Sequence, residues 1–393
     1  MSLFNYNDDE VSLEELDLLI QNQTSEKRTI DYKLNLILDT DENKKEFLAD
    51  IISFANTSGG IIIYGMREEK GIPIELIGIT IENADLLKGR IESIIRDGIS
   101  PKYSSANVVV ISINDTHKAI IIKIPKSWSA PHLIWYKRSS KFFARNSSHG
   151  KYQLEISEIR ASILASEYLY EKIRNFRLDR ISKIINHDTP VELLNEPQFV
   201  LHIIPMNSFS IQEKIDSNKF TALINTPNSL HDYRKEFNFD GFVFHNRFDQ
   251  IHSADRYFQI FRNGIIELVN ANFTDIEDNC KLISGKKFER FYIEEMSTWI
   301  DLLKFFGFTP PFVLLFSVLG IRGYKFRLND NRFYQIANKP ITTDNLLVHD
   351  ILAESNFMDE HDKSLKIIFD PIWNACGFPG SLNYDAAVRW VDN

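Results

Sequence analysis

Residues 42–65 constrain this chain more than any other stretch. Glu42 to Ala55 reads as a helix with Phe47, Ile51, Phe54 and Ala55 turned inward. Asn56-Thr57-Ser58-Gly59-Gly60 stops it, glycine being the usual residue where a helix ends. Ile61 to Gly65 follows as a short, wholly apolar strand. A strand without polar alternation is one covered on both faces.

The flanking segments extend the pattern. Val11 to Gln23 carries Leu13, Leu16, Leu19 and Ile20 at helical spacing. Glu26 to Leu38 alternates as a strand, with Ile30, Tyr32 and Leu34 to one side and Thr29, Asp31 and Lys33 to the other. Arg67 to Pro73 turns, and Asn83 to Arg96 is a helix. Asn107 to Asn114 and Lys118 to Pro125 are strands. Ile134 to Arg138 and Lys141 to Arg145 read as a hairpin with Ser139-Ser140 at its tip, and Ile156 to Ile185 as a long helix. This order gives an α+β fold, a mixed sheet with helices rather than a regular βαβ repeat.

The 393 residues allow two to three domains. Turn signals at His187-Asp188-Thr189-Pro190 and Asn195-Glu196-Pro197 place a boundary near 186–197, giving domains 1–186 and 197–393. The second reads as mixed α/β. Its strands are expected at Phe199 to Ile204, Gly241 to His245, Tyr257 to Arg262 and Ile265 to Val269, and its helices at Arg290 to Phe306 and Thr343 to Phe357.

Charge separates the two parts. The chain stands at −9, yet residues 86–180 hold 17 Lys+Arg against 8 Asp+Glu, leaving −18 for the remainder. Thr116 to Leu154 has no acid and eight bases: Lys118, Lys123, Lys126, Lys137, Arg138, Lys141, Arg145 and Lys151. An acid-free basic stretch in an acidic protein is either a solvated face or one held for a polyanion. Interleaved Trp128, Phe142 and Phe143 add surfaces on which bases can stack, or else core. The two cysteines are too few for a disulfide framework or a zinc-finger set. The acidic start lacks the pattern of a signal peptide, and the most apolar stretch, Phe312 to Ile321, is about half a membrane span. A cytoplasmic protein without membrane contact is the expectation.

Asp31 and Lys33, two apart on a strand, leave the same face, and Glu26 can fold back from just before it. Two carboxylates and an ammonium suit a hard divalent metal and phosphate chemistry; the same residues equally make a surface ion pair. Glu68 and Glu69 follow the apolar strand within reach. The Gly-Gly pair is no P-loop, since no Gly-Lys-Ser/Thr follows, so nucleotide binding there is a minor alternative. His132 and His149 are left outside the catalytic set.

Five segments in this order resemble the Schlafen AlbA-type domain, long described in bacteria as a DNA-binding or divergent ATP-binding module. They are Glu26 through Asp31-Tyr32-Lys33, Phe54 to Gly60 with Gly65, Arg90 to Pro101, Pro125 through His132, and Phe142 to Asn146 with Lys151-Tyr152. The resemblance spans roughly residues 12 to 165. Animal relatives cleave tRNA and rRNA with three metal-binding carboxylates, and carried across residue by residue these are Glu26, Asp31 and Glu68. Asp31 and Glu68 each depart from the usual acid, and Arg67 stands where an acid is frequent. The resemblance implies a metal-dependent endoribonuclease acting on structured RNA such as tRNA, in bacterial anti-phage defence. Glu26, Asp31 and Glu68 would hold Mg²⁺ or Mn²⁺, and Lys33 would stabilise charge on phosphate. The eight bases and Trp128 would hold the backbone, RNA before DNA. A homodimer would supply the second lobe of the groove, with residues 197–393 dimerising, sensing or contacting a partner. The alternative is a non-catalytic DNA- or RNA-binding regulator using the same basic face.

Overall fold

Ser12 accepts a hydrogen bond from Glu15 N–H and so caps the first helix, α1 (Leu13–Gln21). In the computed structural model, residues 11–146, 150–209, 215–224, 233–246, 253–327, 336–337, 339–354, 357 and 361–391 are described. His149 lies outside them. The chain divides into two compact units, Met1–Tyr170 and Glu171–Asn393.

In the first unit α1 is followed by β1 (Ile30–Lys33), α2 (Asp41–Ala55), β2 (Gly60–Tyr64), β3 (Met66–Glu69), β4 (Ile72–Leu76) and β5 (Ile79–Thr80). Then come α3 (Ala84–Gly98), β6 (Ile99–Ser100), β7 (Asn107–Ser112), β8 (His117–Ile124), β9 (Leu133–Ile134), β10 (Phe143–Asn146) and β11 (Gly150–Gln153). The main sheet runs β1-β2-β8-β5, with β7 also paired to β8; β1 and β2 are parallel and β2 and β8 antiparallel. Strand period two sorts its side chains. Ile30, Tyr32, Ile61 and Ile63 pack with Leu16 and Leu19 of α1 on one face. Ile62, Tyr64, Ile120 and Ile122 pack with α2 and α3 on the other. The wholly apolar strand is thus covered on both sides, as its sequence requires.

Two local expectations are corrected. Residues 67–73 are no simple turn: β3 and β4 form a hairpin whose tip, Lys70-Gly71, has positive φ at both residues. The connection after β9 turns at Lys137-Arg138 rather than at Ser139-Ser140. Both of those residues have positive φ, and Ser139 N–H donates to the Tyr136 carbonyl. The two arms still meet, with Leu133 bridged antiparallel to Phe142 and Ile134 N–H donating to the Lys141 carbonyl, and β10 then pairs with β11.

A helix, α4 (Ile156–Ile185), spans the position at which the two units divide. The second unit continues with β12 (Gln198–Pro205), α5 (Ser217–Ile224), β13 (Arg234–Phe237), β14 (Gly241–His245), β15 (Arg256–Phe261), β16 (Ile266–Asn270), β17 (Thr274–Glu277) and β18 (Cys280–Ser284). It ends with α6 (Gly285–Phe306), β19 (Phe312–Leu319), β20 (Lys325–Arg327), β21 (Asn345–Leu347), β22 (Ile351–Ala353) and α7 (His361–Asn374). An antiparallel sheet runs β13-β14-β15-β16-β12-β19-β21, with β22 also on β19. β17-β18-β20 make a second, smaller sheet. The apolar Phe312–Leu319 stretch is thus a buried strand. The helix expected at Thr343 to Phe357 is replaced by β21 and β22, both short edge pairings on β19. Among the described residues no helix is long and apolar enough to cross a membrane.

Candidate functional site

Asp31 sits opposite Ile62 in the β1–β2 register, so its side chain points to the α2 face and becomes buried. There Arg145 Nη1 of β10 donates to Asp31 Oδ2 at 2.9 Å, with 6% and 7% of the two side chains exposed. Lys33 Nζ lies 3.3 Å from the same oxygen and 3.9 Å from Asp50 Oδ2. Lys151 Nζ reaches Asp50 Oδ1 at 2.8 Å and Glu46 Oε1 at 2.5 Å. Two buried carboxylates on β1 and α2 are therefore answered by two cations from β10 and β11, and by Lys33.

The Phe54–Gly60 motif builds this arrangement. Asn56 Nδ2 donates to the carbonyls of His132 and Phe143, and His132 N–H donates to Asn56 Oδ1. Arg145 N–H donates to Thr57 Oγ1. A Cβ on Gly60 would come within 2.5 Å of the Phe54 ring, so only glycine lets that ring lie so close to the strand. The Arg145 guanidinium then stacks 4.2 Å from the Phe54 ring centroid. His132 is buried, donating from Nδ1 to the Pro101 carbonyl and accepting at Nε2 from Ser127. Burial holds its pKa below the usual value, so it is a neutral structural residue.

Glu26 precedes β1 and is held against the β3–β4 turn. Its N–H donates to the Gly71 carbonyl, and its Oε1 accepts from Tyr32 N–H at 2.9 Å. Burial, then a hydrogen bond with Asp31, push the Glu26 carboxyl up to about 7. Burial alone would raise Asp31 too. The hydrogen bond from Glu26 and the charges of Lys33 and Arg145 outweigh it, holding Asp31 below the usual carboxylate range. The two acids titrate as one unit, Glu26 keeping its proton up to near neutrality while Asp31 is already ionised. Glu68 adds repulsion to Glu26, but its Oε2 accepts from Gly71 N–H at 2.5 Å. Arg67 pairs with Glu75 at 2.8 Å, across the hairpin and away from the acid pair.

Hard divalent ions take oxygen donors, and Glu26 and Asp31 fit that chemistry. Glu68 is committed to Gly71, and among the described residues no group of three or more His, Cys, Asp or Glu is arranged to hold a metal ion. Beside the pair, a pocket of about 240 Å³ is lined by Lys33, Asn35, Asn43, Glu46, Asp50 and Tyr64, with Leu36, Ile37 and Phe47.

The basic stretch divides by exposure. Lys123 is wholly buried in β8 and Arg145 is buried against Asp31, so neither presents charge to a polyanion. Lys151 is turned to Asp50 and Glu46, and Lys118 is half-buried. Lys126, Lys137, Arg138 and Lys141 are exposed. Lys126 Nζ lies 4.7 Å from the ring centroid of the half-buried Trp128, and Lys137 Nζ lies 4.0 Å from Asp41 Oδ2. The sequence reading missed Trp135, which is 65% exposed just before the Lys137-Arg138 turn. An indole left in solvent beside two cations is unusual for a structural residue and suits base stacking. Its signal was weak, because an aromatic next to Ile134 reads as core.

Residues 26–152 match the family model described as Schlafen, AlbA_2. These residues are a Schlafen AlbA_2 domain. It occupies under half of the chain and holds the acid pair, the Asn56–Gly60 motif and the exposed basic turn. The Schlafen AlbA_2 assignment points to a nucleic-acid-related function. Among solved structures, the DIP2311 protein from Corynebacterium diphtheriae is similar at 14% identity and TM-score 0.27, over 38% of this chain and 28% of that one. The N-terminal domain of a protein from Nitrosomonas europaea titled "Putative ATP-dependent DNA Helicase RecG-related Protein" is similar at 16% identity and TM-score 0.24. It covers 40% of this chain and 96% of that one. No curated protein matches the chain.

Proposed function

We propose that the Schlafen AlbA_2 domain binds nucleic acid, RNA in preference to DNA, through the exposed face around Trp135, Lys137, Arg138 and Lys141. The observation that carries this reading is the solvent-exposed Trp135 at a turn whose two tip residues are exposed cations. Cations hold the phosphate backbone and the indole stacks a base. The acid pair needs no ion to be stable, since Arg145 and Lys33 neutralise Asp31. Binding is therefore independent of divalent metal. Fluorescence anisotropy with labelled RNA and DNA in excess chelator tests this; binding that disappears on chelation would count against it.

A second reading is hydrolysis of structured RNA such as tRNA, in defence against phage. It is favoured by the Glu26 carboxyl, which titrates near neutrality beside Asp31, the neighbour of Lys33 on β1. Mg²⁺ or Mn²⁺ held by Glu26 and Asp31 would supply charge neutralisation at the phosphate. Lys33 would face that charge, and Glu26 would exchange a proton. Incubating total RNA with Mn²⁺ and wild-type or Glu26→Gln protein decides it, since equal cleavage by both would remove this reading. In either case the full chain is proposed to act as a homodimer, so that two basic faces share one duplex.

A further inference from the structure

The second unit is acidic, with 30 Asp+Glu against 25 Lys+Arg over residues 171–393. One pocket in it has the opposite character. A concavity of about 320 Å³ is lined by Lys286, Lys287, Arg290, Arg327, Ser284 and Asp275, four cations against one carboxylate.

These residues come from adjacent elements with a common origin. β17, β18 and β20 form the smaller sheet, in which Ser284 lies opposite Arg327. Ser284 also caps α6, accepting from Lys287 N–H at 3.4 Å, and Lys286, Lys287 and Arg290 occupy the first two turns of that helix. Gly285 stands at the junction because a Cβ there would fall 2.6 Å from Trp373 Cζ2 and 3.0 Å from Phe326 Cδ1. The sheet end and the helix start are thus pressed together, and their cations converge.

The cations are individually positioned. Arg327 is held by Glu277 and lies 3.8 Å from Asp275 Oδ2. Lys287 Nζ donates to Asn272 Oδ1 at 3.0 Å. The Arg290 guanidinium sits 5.7 Å from the Trp390 ring centroid, and Trp390 is anchored by Nε1 donating to the buried Glu289. Guanidinium groups held in place lose little entropy on binding and donate paired N–H groups to phosphate oxygens. Lysines add point charge, and the N-terminal end of a 22-residue helix adds to the same field.

We propose that this pocket binds a small ligand carrying two or more linked phosphates, with Arg290 and Arg327 gripping the phosphates and Lys286, Lys287 and the Ser284 hydroxyl completing the shell. A small ligand is favoured over a polymer because the cations line a concavity in an acidic unit rather than an extended basic groove. The site is separate from the Schlafen AlbA_2 domain and does not rest on the function proposed for it.

Calorimetric titration of the full chain with inorganic triphosphate, with ATP and with a single-stranded oligonucleotide tests the assignment. Saturable binding of triphosphate, ATP or both is expected, weakened at least tenfold in Lys286→Ala/Arg290→Ala and in Lys287→Ala/Arg290→Lys. Unchanged melting temperature shows that the variants fold. Binding of triphosphate as tight as ATP identifies the phosphate chain as the ligand; ATP alone identifies a nucleotide. No saturable binding of either, binding the variants leave unchanged, or oligonucleotide binding alone lost in the variants would overturn the proposal.

Discussion

Arg145 Nη1 donates to Asp31 Oδ2 at 2.9 Å, across 114 positions of sequence and with both side chains buried. Removing Arg145 leaves the buried Asp31 charge opposed by Lys33 alone, 3.3 Å away and more than a third exposed. Arg145→Ala should therefore cost about 3–5 kcal/mol of stability. Arg145→Ala/Asp31→Ala should cost less than the sum of the single changes, because the two residues share one interaction. Urea denaturation of the three variants checks this; a single-variant loss under about 1 kcal/mol would contradict it.

Glu26 gives a pH dependence with a definite sign. Its folded-state pKa of about 7 lies above the ordinary glutamate value of 4.5, so the folded protein binds the extra proton. The stabilising contribution is complete below about 4.5 and falls away as pH rises through 7. Asp31, depressed, acts in the opposite sense at lower pH, losing its contribution as acid protonates it. Glu26→Gln removes the first effect. Between pH 5 and 8 the melting temperature of the variant should rise relative to wild type, and parallel curves would show that Glu26 is not raised.

Gly60→Ala tests the link from the glycine pair to the acid pair. The added methyl group meets the Phe54 ring at 2.5 Å, and Phe54 supports Arg145. Overpacking of this kind costs about 1–3 kcal/mol. Thermal melts measure it, and an unchanged melting temperature would mean that Phe54 has room to move.

The proposed assembly is tested by light scattering. The full chain should run as a dimer, and a monomer at all concentrations would exclude a two-lobed groove built from two copies.

Much of this architecture is legible in the sequence where periodicity is strong. The α4 helix, the apolar β2 and the alternation of β1 all follow from spacing, and so does the common face of Asp31 and Lys33. Exposure is not legible in the same way. Lys123 and Arg145 look like ordinary members of a basic run, yet β8 and β10 turn them inward. Asp50 was invisible as a partner because it lies among the apolar residues of α2, where only the packing of β1 and β11 against that helix reveals its role. The segment 343–357 read as a helix because its apolar spacing suits one; pairing to β19 outweighed that preference. The basic pocket of the second unit was hidden by the net charge around it, since Arg327 and Lys286 meet only through the fold.

The central claim is that the exposed turn of the Schlafen AlbA_2 domain holds nucleic acid without a divalent ion. Its most direct test is the affinity of full-length protein for a labelled RNA in chelator over a range of salt, for wild type, Trp135→Ala and Lys137→Ala/Arg138→Ala. All three should fold alike, because these side chains are exposed. Trp135→Ala should lose about 1–3 kcal/mol of binding with an unchanged salt slope. The double variant should lose affinity and flatten that slope by roughly 1.5. Wild-type binding that is absent in chelator, or equal affinities and slopes in all three proteins, would contradict the claim.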